Sequence, residues 1–365
     1  MPLFMDGCEA VSLGAIHAGC TFFAGYPITP ASSILRRMME MLPAAGGVAV
    51  QGEDEIASIG FCIGAAMTGA KAMTATSGPG MSLYSENIGL AIMGEVPLVI
   101  VNVQRMGPAT GGATTTAEGD VQFCRWVTSG GYPLVVYAAT NVADAYRLTI
   151  EAFNTAERLR TPVILLSSKD LAMTCETADT AEFVRPARVT RTSGDGVPYA
   201  FRESTDVPGF LAVGGDRLTR FTGSIHDGRG VITSDRKKID RKLTHLRDKI
   251  ESRADELAIV REDLQEGAET VVIAYGAAAR AAREAVRDAR RDGKRVSLLV
   301  LYTLWPTPVA AIRRALGGAK RVVVPELNTG QYLCEIERFA AGRELVPVQR
   351  IDGGLLTPAA LEAAL

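Results

Sequence analysis

The sequence predicts an α/β fold, in which parallel strands alternate with helices in two successive units. Short apolar segments at residues 48–50 and 72–75 flank a helical pattern. An order of strand, helix and strand is typical of a parallel sheet covered by helices. A second run of alternating strands and helices begins near Glu269, and 365 residues suffice for about two domains of ~150 residues each.

Composition and charge exclude several classes of protein. Hydrophobic residues make up 47% of the chain, enough for sizeable cores, and the net charge of −2 does not favour nucleic acid or an anionic membrane as a partner. The six cysteines lie far apart without a CxxC pair, and the three histidines are never at helical ligand spacing. We therefore expect no iron–sulfur cluster, structural zinc or disulfide framework here.

The chain shows no targeting pattern. It opens without a basic n-region, and no apolar run reaches the ~20 residues that a membrane helix needs. We expect a cytoplasmic protein.

The first strand, at residues 20–24, ends in a stiff loop, Gly25-Tyr26-Pro27-Ile28-Thr29-Pro30. Its two prolines fix the backbone and remove donors. Ligands gather at the carboxyl ends of strands in open α/β sheets, so this loop is either a site loop or an ordinary tight turn.

Later strands end in similar loops. Residues 76–80 read Thr-Ser-Gly-Pro-Gly, where small residues allow a flat ring to approach the backbone, and the strand at 97–103 ends in a Gly-rich loop that begins Gln104-Arg105. If the sheet is parallel, four successive strands end at one edge. Arg105 either presents a fork-shaped cation to an anion there or forms a surface ion pair. The loops contain no GxxxxGK[ST] or GxGxxG motif, which disfavours nucleotide phosphates.

Three acids, Glu53, Asp54 and Glu55, stand where the helix after residue 50 begins. That helix is apolar all round, so we expect it to be buried on nearly all sides. Each acid either faces solvent at the positive end of the helix dipole or enters the apolar interior, where it would act in proton transfer. Periodicity does not decide which acid is buried.

The domains are predicted at residues 1–183 and 266–365, joined by a linker at 184–265. The linker contains a charged helix with an apolar stripe, whose charged residues we expect to form a solvated face. Residues 266–365 show the pattern of a small α/β domain.

The loops, in order, resemble a known family. The resemblance runs from Gly7-Cys8-Glu9-Ala10 through AGYPITP, EDEIAS, TATSGPG, NVQRMGPATG, GSIHD and TLWP to ELNTGQ at residues 326–331. Together these motifs resemble the alpha subunit of 2-oxoacid:ferredoxin oxidoreductases, the two-chain type that includes 2-oxoglutarate:ferredoxin oxidoreductase.

The resemblance implies a thiamine diphosphate pyrimidine-binding domain with a parallel sheet and a smaller, transketolase C-terminal-like α/β domain. It implies oxidative decarboxylation of a 2-oxoacid, 2-oxoglutarate first, with CoA to acyl-CoA and CO2, the electrons passing to ferredoxin. This chain would hold the aminopyrimidine. A beta subunit, in a heterodimer or an alpha2beta2 assembly, would carry Mg2+ and a [4Fe–4S] cluster.

The resemblance also implies roles for single residues. Glu55, nine residues before the Gly64-Ala65 pair, is the catalytic acid, hydrogen-bonded to N1′ of the aminopyrimidine. The 2-oxoacid is bound by Thr29, Arg105, Thr110 and Thr114. The cofactor contacts Pro27, Ile28, Glu55, Ser77 and Gly78.

Some features depart from the family pattern. Cys8 stands where the family usually has Asn, and Met106 where Gly is common, so the shape of the pocket and the substrate stay open. Gly194-Asp195-Gly196 imitates the start of the thiamine diphosphate–magnesium motif, but no asparagine follows until Asn328, so we expect no metal site. The alternatives are a branched-chain 2-oxoacid or pyruvate member of the family, or a non-catalytic assembly subunit.

Overall fold

The computed structural model describes residues 2–194 and 196–365. Its first part contains β1 (Pro2–Asp6), α1 (Gly7–Ala18), β2 (Phe22–Gly25), α2 (Ser32–Ala44), β3 (Val48–Gln51), α3 (Glu55–Met67), β4 (Ala72–Thr76), α4 (Gly78–Met93), β5 (Leu98–Gln104), α5 (Val121–Arg125), β6 (Val135–Ala138), α6 (Val142–Leu159), β7 (Pro162–Ser168), α7 (Lys169–Met173) and β8 (Cys175–Asp179).

The rest of the chain contains α8 (Arg236–Glu251), β9 (Val260–Asp263), β10 (Thr270–Ala274), α9 (Ala278–Arg291), β11 (Val296–Leu301), β12 (Thr303–Trp305), α10 (Val309–Ala315), β13 (Arg321–Glu326), α11 (Leu333–Glu337), β14 (Glu344–Gln349) and α12 (Pro358–Glu362).

The main sheet has the strand order β12-β6-β7-β5-β4-β2-β3. Strands β2 to β5 pair in parallel, as the sequence predicts, so the loops after them meet at one edge. The fully buried β4 and β5 lie in the middle of the sheet. The outermost pairing is unexpected, because β12 comes from the C-terminal part of the chain and runs antiparallel to β6.

The second sheet has the order β14-β13-β10-β11-β9. Strands β14, β13, β10 and β11 are parallel, which agrees with the predicted α/β unit, and β9 pairs antiparallel to β11. Because β9 lies within the predicted linker, the boundary at residue 266 stays a prediction.

The charged helix α8 is held by a buried ion-pair cluster, so the expectation of a wholly solvated charged face is wrong. Lys242 and Lys249 lie 2.6 and 2.7 Å from the carboxylate of Glu95, and His245 Nε2 lies 3.0 Å from it. Burial alone would raise the pKa of Glu95, but the two ammonium groups hold it well below its ordinary value. The cluster fixes α8 against the end of α4.

Glu118 lies where the two domains meet. Its Oε1 accepts a hydrogen bond from the N–H of Ala277 at 2.9 Å, and its own N–H donates to the carbonyl of Leu327 at 2.9 Å. Burial raises the pKa of Glu118 to about 7, and the carboxylates of Asp170 and Glu326 add to this rise. The interface therefore holds a buried carboxyl that titrates near neutrality.

Two further observations concern the chain as a whole. Asp195, the central residue of the Gly-Asp-Gly triplet, lies outside the described residues. Within residues 2–194 and 196–365, none of the helices combines the length and the apolarity needed to cross a membrane.

Candidate active site

A cavity of about 530 Å³ opens at the edge where β4 and β5 end. The start of α4, the loop after β5 and a loop from the C-terminal domain surround it. Its lining consists of Gly78, Pro79, Ser82, Arg105, Met106, Gly107, Pro108, Ala109, Ala117, Gly119, Asp120, Phe123, Leu327, Asn328, Thr329, Gln331 and Ile351.

The structure decides which of the three acids at the start of α3 is buried. Glu55 is 7% exposed, whereas Glu53 and Asp54 are exposed. Asp54 is the N-cap of α3, and its side chain accepts a hydrogen bond of 2.7 Å from the N–H of Ala57. A side chain that caps the helix must stay outside it, so the next residue turns inward.

Glu55 packs against the start of α4. A Cβ atom on Gly80 would lie 2.9 Å from Glu55 Cγ and 3.1 Å from its Oε1, so the absence of a side chain at Gly80 makes room for the carboxyl group. Within the described part of the chain, this carboxyl group makes no hydrogen bond. It is therefore free to bind a ligand at this edge of the sheet, although Glu55 itself is not among the residues that line the cavity.

Arg105 lies at the end of β5 and is 7% exposed, which excludes the alternative of a surface ion pair. Its Nη1 donates to the carbonyl oxygen of Thr29 at 2.5 Å, which ties the loop after β2 to the loop after β5. Its Nε is buried without a hydrogen-bond partner among the described residues. The guanidinium can thus offer an N–H to an anion in the cavity.

Two other buried polar atoms at this edge also lack partners within the ranges described: Ser77 Oγ and Asn102 Oδ1. Because a buried unsatisfied polar group costs about 1–3 kcal/mol, such groups require an explanation. Their position, at the N-cap of α4 and in β5, is consistent with a polar ligand that satisfies them.

The remaining predicted residues divide into two groups. Gly78 lines the cavity beside Arg105. Thr110, Thr114 and Pro27 are exposed, Ile28 is half-buried, and all four are absent from the lining. Their contacts with substrate or cofactor stay predictions.

The structure adds three residues to which we assigned no role from the sequence: Asp120, Asn328 and Gln331. Asp120 accepts a hydrogen bond from Asn102 Nδ2 at 3.0 Å, and burial raises its pKa although this bond and Arg105 oppose the rise. Asn328 Nδ2 donates to the carbonyl of Glu118 at 2.8 Å. Asn328 and Gln331 belong to the ELNTGQ motif noted in the sequence, but the motif did not reveal their contacts.

Gln331 closes the cavity from the C-terminal domain. Its Nε2 donates to the carbonyl of Gly119 at 2.6 Å, and its Oε1 accepts from the N–H of Gln122 at 2.9 Å. Gln122 Nε2 returns a bond of 2.8 Å to the carbonyl of Gln331. The loop at 327–331 is therefore a fixed wall of the cavity.

The two departures from the family pattern both lie near this site. Met106 lines the cavity, and its N–H donates to the carbonyl of Thr115, which closes the loop after β5. Cys8 is fully buried beneath the loop after β2, with Sγ 4.0 Å from the carbonyl of Pro30. Met106 can thus affect the substrate directly and Cys8 only through the loop.

Comparison with known proteins shows to which family the chain belongs. Residues 13–244 match the family described as "Pyruvate flavodoxin/ferredoxin oxidoreductase, thiamine diP-bdg", and residues 268–361 match "Pyruvate:ferredoxin oxidoreductase core domain II". The chain belongs to the 2-oxoacid:ferredoxin oxidoreductase family.

Members of this family that are similar to the chain include 2-oxoglutarate synthase subunit KorA of two archaea. The protein of Archaeoglobus fulgidus is 41% identical over 93% of this chain and 92% of its own length. The KorA protein of Methanothermobacter marburgensis is 39% identical over 97% of this chain and 96% of its own length. Ketoisovalerate oxidoreductase subunit VorB of Methanothermobacter marburgensis is 33% identical over 96% of this chain and 94% of its own length.

A solved structure of the same family has the same fold. The 2-oxoglutarate:ferredoxin oxidoreductase from Magnetococcus marinus, with 2-oxoglutarate, coenzyme A and succinyl-CoA bound, matches with a TM-score of 0.92 and 32% identity over 100% of this chain. This chain spans 64% of that longer chain. The predicted combination of a thiamine diphosphate-binding domain and a smaller α/β domain is confirmed.

Proposed function

We propose that this chain is the alpha subunit of a thiamine diphosphate-dependent 2-oxoglutarate:ferredoxin oxidoreductase. The enzyme decarboxylates 2-oxoglutarate oxidatively, transfers the acyl group to CoA and passes the electrons to ferredoxin. The observation that carries the proposal is the buried carboxyl of Glu55, which makes no hydrogen bond within the described residues, at the edge of the sheet where Arg105 lines the cavity. Higher identity to KorA than to VorB favours 2-oxoglutarate as the substrate.

The residues present fit the aminopyrimidine side of thiamine diphosphate. Glu55 offers a carboxyl group, which the missing side chain at Gly80 accommodates, and Ser77 offers a buried hydroxyl that has no partner in the described structure. When bound, thiamine diphosphate supplies the nucleophilic carbon and the electron sink for decarboxylation.

The chain's own residues then have separate tasks. Glu55 would form a hydrogen bond to N1′ of the aminopyrimidine and transfer a proton to or from that nitrogen. Arg105 binds the carboxylate of the 2-oxoacid, and its bond to the carbonyl of Thr29 fixes the direction of the guanidinium. The loop that contains Gln331 limits access of water to the reacting groups.

The exposed apolar face of α3 supports the proposal that a partner subunit binds there. The expectation that α3 is buried on nearly all sides is wrong for this chain, since Ile56 and Phe61 are 50% and 48% exposed. Gly60 and Gly64 are also exposed, and a Cβ atom on either would meet nothing within 4 Å. Such a face allows a second backbone to approach closely. We assign it to a beta subunit, which carries Mg2+ and a [4Fe–4S] cluster in a cytoplasmic complex.

Alanine at Gly60 tests that assignment. Gly60→Ala should leave the isolated chain as stable or more stable, because alanine favours helix by up to ~1 kcal/mol. It should weaken association with the co-expressed beta subunit, measured by size-exclusion chromatography. Unchanged association would place the partner elsewhere.

Glu55→Gln in the reconstituted complex tests the chemical role. Glutamine keeps the size of the side chain but cannot transfer a proton, so exchange of the cofactor's C2 hydrogen with deuterium should slow by ~10²–10⁴-fold. Glu53→Gln is the matched control, since Glu53 is exposed and one residue from the N-cap. If exchange instead collapsed in Glu53→Gln, the proton transfer would belong to Glu53, and its assignment to Glu55 would be wrong.

The substrate is tested separately. Turnover of 2-oxoglutarate, pyruvate and a branched-chain 2-oxoacid with a dye acceptor ranks them by kcat/KM. A preference for the branched-chain acid would favour the VorB-like alternative. Failure of all three with an intact complex would favour an assembly subunit.

A further inference from the structure

The cavity of the candidate active site contains a carboxyl group that the proposed function does not use. Among the described residues that line this cavity, Arg105 and Asp120 are the only ones with charged side chains. The carboxyl of Asp120 lies over the first residue of α4, because a Cβ atom on Gly78 would be 3.0 Å from Oδ2 and 3.2 Å from Oδ1. The cavity therefore presents one cation and one acid to a ligand.

Asp120 is half-buried and is held in place by the last residues of β5. Asn102 Nδ2 donates to Oδ2 at 3.0 Å, and the N–H of Asp120 donates to Gln104 Oε1 at 3.0 Å. Gln104 is fixed in turn, since its Nε2 donates to the carbonyl of Ser167 at 3.3 Å. The other carboxyl oxygen, Oδ1, is not buried and has no hydrogen-bond partner among the described residues. The carboxyl group thus has a fixed direction and one oxygen free to contact a ligand.

The protonation of Asp120 decides whether Oδ1 accepts or donates a hydrogen bond. Burial raises the pKa of Asp120, and the bond from Asn102 and the guanidinium of Arg105 oppose this rise. Two other titratable groups lie nearby: Cys124 on α5, whose thiol stays neutral because burial raises its pKa, and Glu55, which reaches α4 two residues further on. An anion that binds Arg105 brings more negative charge toward Asp120, and this favours the protonated acid, in which Oδ1 can donate.

We propose that Asp120 recognises the keto group of the 2-oxoacid: in its protonated form it donates from Oδ1 to the keto oxygen, while Arg105 binds the carboxylate. This inference rests on the proposed function. A 2-oxoacid has an anionic carboxylate and a neutral keto oxygen on adjacent carbons, and they match a cation and a neutral donor that share one cavity. Because an ionised Asp120 would repel both groups, substrate binding is coupled to uptake of a proton by this carboxyl.

Isothermal titration calorimetry of the reconstituted complex with N-oxalylglycine tests the proposal. This compound keeps the two carboxylates and the carbonyl oxygen of 2-oxoglutarate, but its amide carbonyl resists attack, so no turnover disturbs the measurement. Bound ligand raises the pKa of Asp120, so binding is tightest below the pKa of the free enzyme and weakens as the pH rises above it. We expect Kd to rise at least about threefold between pH 6 and pH 8.

Two substitutions of Asp120 separate its proton from its hydrogen bond. Asp120→Asn keeps the size and a donor but cannot titrate, so its Kd should not change between pH 6 and pH 8. Asp120→Ala should weaken N-oxalylglycine roughly three- to tenfold at pH 6, as expected for one lost hydrogen bond, but should not weaken glutarate, which has no carbonyl oxygen at that position. Glu118→Gln is the matched control and should keep the pH dependence, because Glu118 is a buried acid with a pKa of about 7 that does not line the cavity.

The role of Asp120 is overturned if the wild-type Kd does not depend on pH, or if the dependence persists in Asp120→Asn. It is also overturned if the dependence disappears in Glu118→Gln, or if Asp120→Ala weakens glutarate as much as N-oxalylglycine. Turnover of 2-oxoacids in the same complex distinguishes the two proposals. If no 2-oxoacid is turned over, the proposed function fails and this inference fails with it, whereas turnover with binding that is independent of pH refutes the role of Asp120 alone.

Discussion

Glu118→Gln should stabilise the protein at pH 8 and leave it unchanged near pH 4.5. Burial raises the pKa of Glu118 from an ordinary 4.5 to about 7, so the folded state retains a proton that the unfolded chain has lost. As the pH rises from 4.5 through 7, the folded state therefore loses stability, by ~3 kcal/mol once the carboxyl is ionised. Glutamine keeps the oxygen that accepts from Ala277 and removes the repulsion from Asp170 and Glu326.

The buried amide must also be accommodated, which reduces the expected gain to about 2 kcal/mol at pH 8. Urea denaturation at pH 4.5 and pH 8 measures it as the difference between variant and wild type. Glu266→Gln is the matched control, because Glu266 is exposed and its replacement should have little effect on stability. Equal effects of Glu118→Gln at both pH values, or a lower stability at pH 8, would refute the reasoning.

Three further substitutions test other contacts. Arg105→Lys should raise KM for the 2-oxoacid roughly ten- to hundredfold, because loss of the bidentate contact between guanidinium and carboxylate costs ~1.5–3 kcal/mol. An unchanged KM for every 2-oxoacid would show that Arg105 does not bind the substrate. Gly80→Ala should abolish activity in a folded chain, verified by circular dichroism, since the new Cβ collides with Thr76 Oγ1 and displaces the carboxyl of Glu55, the proposed catalytic acid; full activity would contradict this packing. Glu95→Gln should lower the free energy of unfolding by ~3–5 kcal/mol in urea at pH 7, because the ammonium of Lys242 stays buried with its charge uncompensated; a loss below ~1 kcal/mol would show that water reaches the cluster.

The parts of the fold that depend on local pattern could be predicted from the sequence. The parallel strands, their stiff loops and the position of Arg105 follow from apolar runs, prolines and glycines. The choice of Glu55 could not be made from periodicity, because α3 is apolar on every face and only the capping geometry of Asp54 turns its neighbour inward.

Long-range partners explain what the sequence pattern could not reveal. Lys242 looks like a solvated charge on α8, but its partner Glu95 is 147 residues away in the sequence. Gln331 and Gly119 are 212 residues apart and still form one wall of the candidate active-site cavity. Contacts at such separation leave no trace in local composition, so the buried charges and the cavity wall could be identified only from the structure.

Because β12 pairs with β6, the main sheet of the first domain is completed by a strand from the C-terminal part of the chain. A fragment that ended before Thr303 would leave β6 with a row of free N–H and C=O groups along its outer side. Unprotected strands of this kind pair with strands of other molecules, and the fragment would also lack Leu304 and Trp305 of the shared core, so it would tend to aggregate. A fragment designed to contain only the cofactor-binding half therefore needs to include the three residues of β12, joined by a linker that lets them pair with β6.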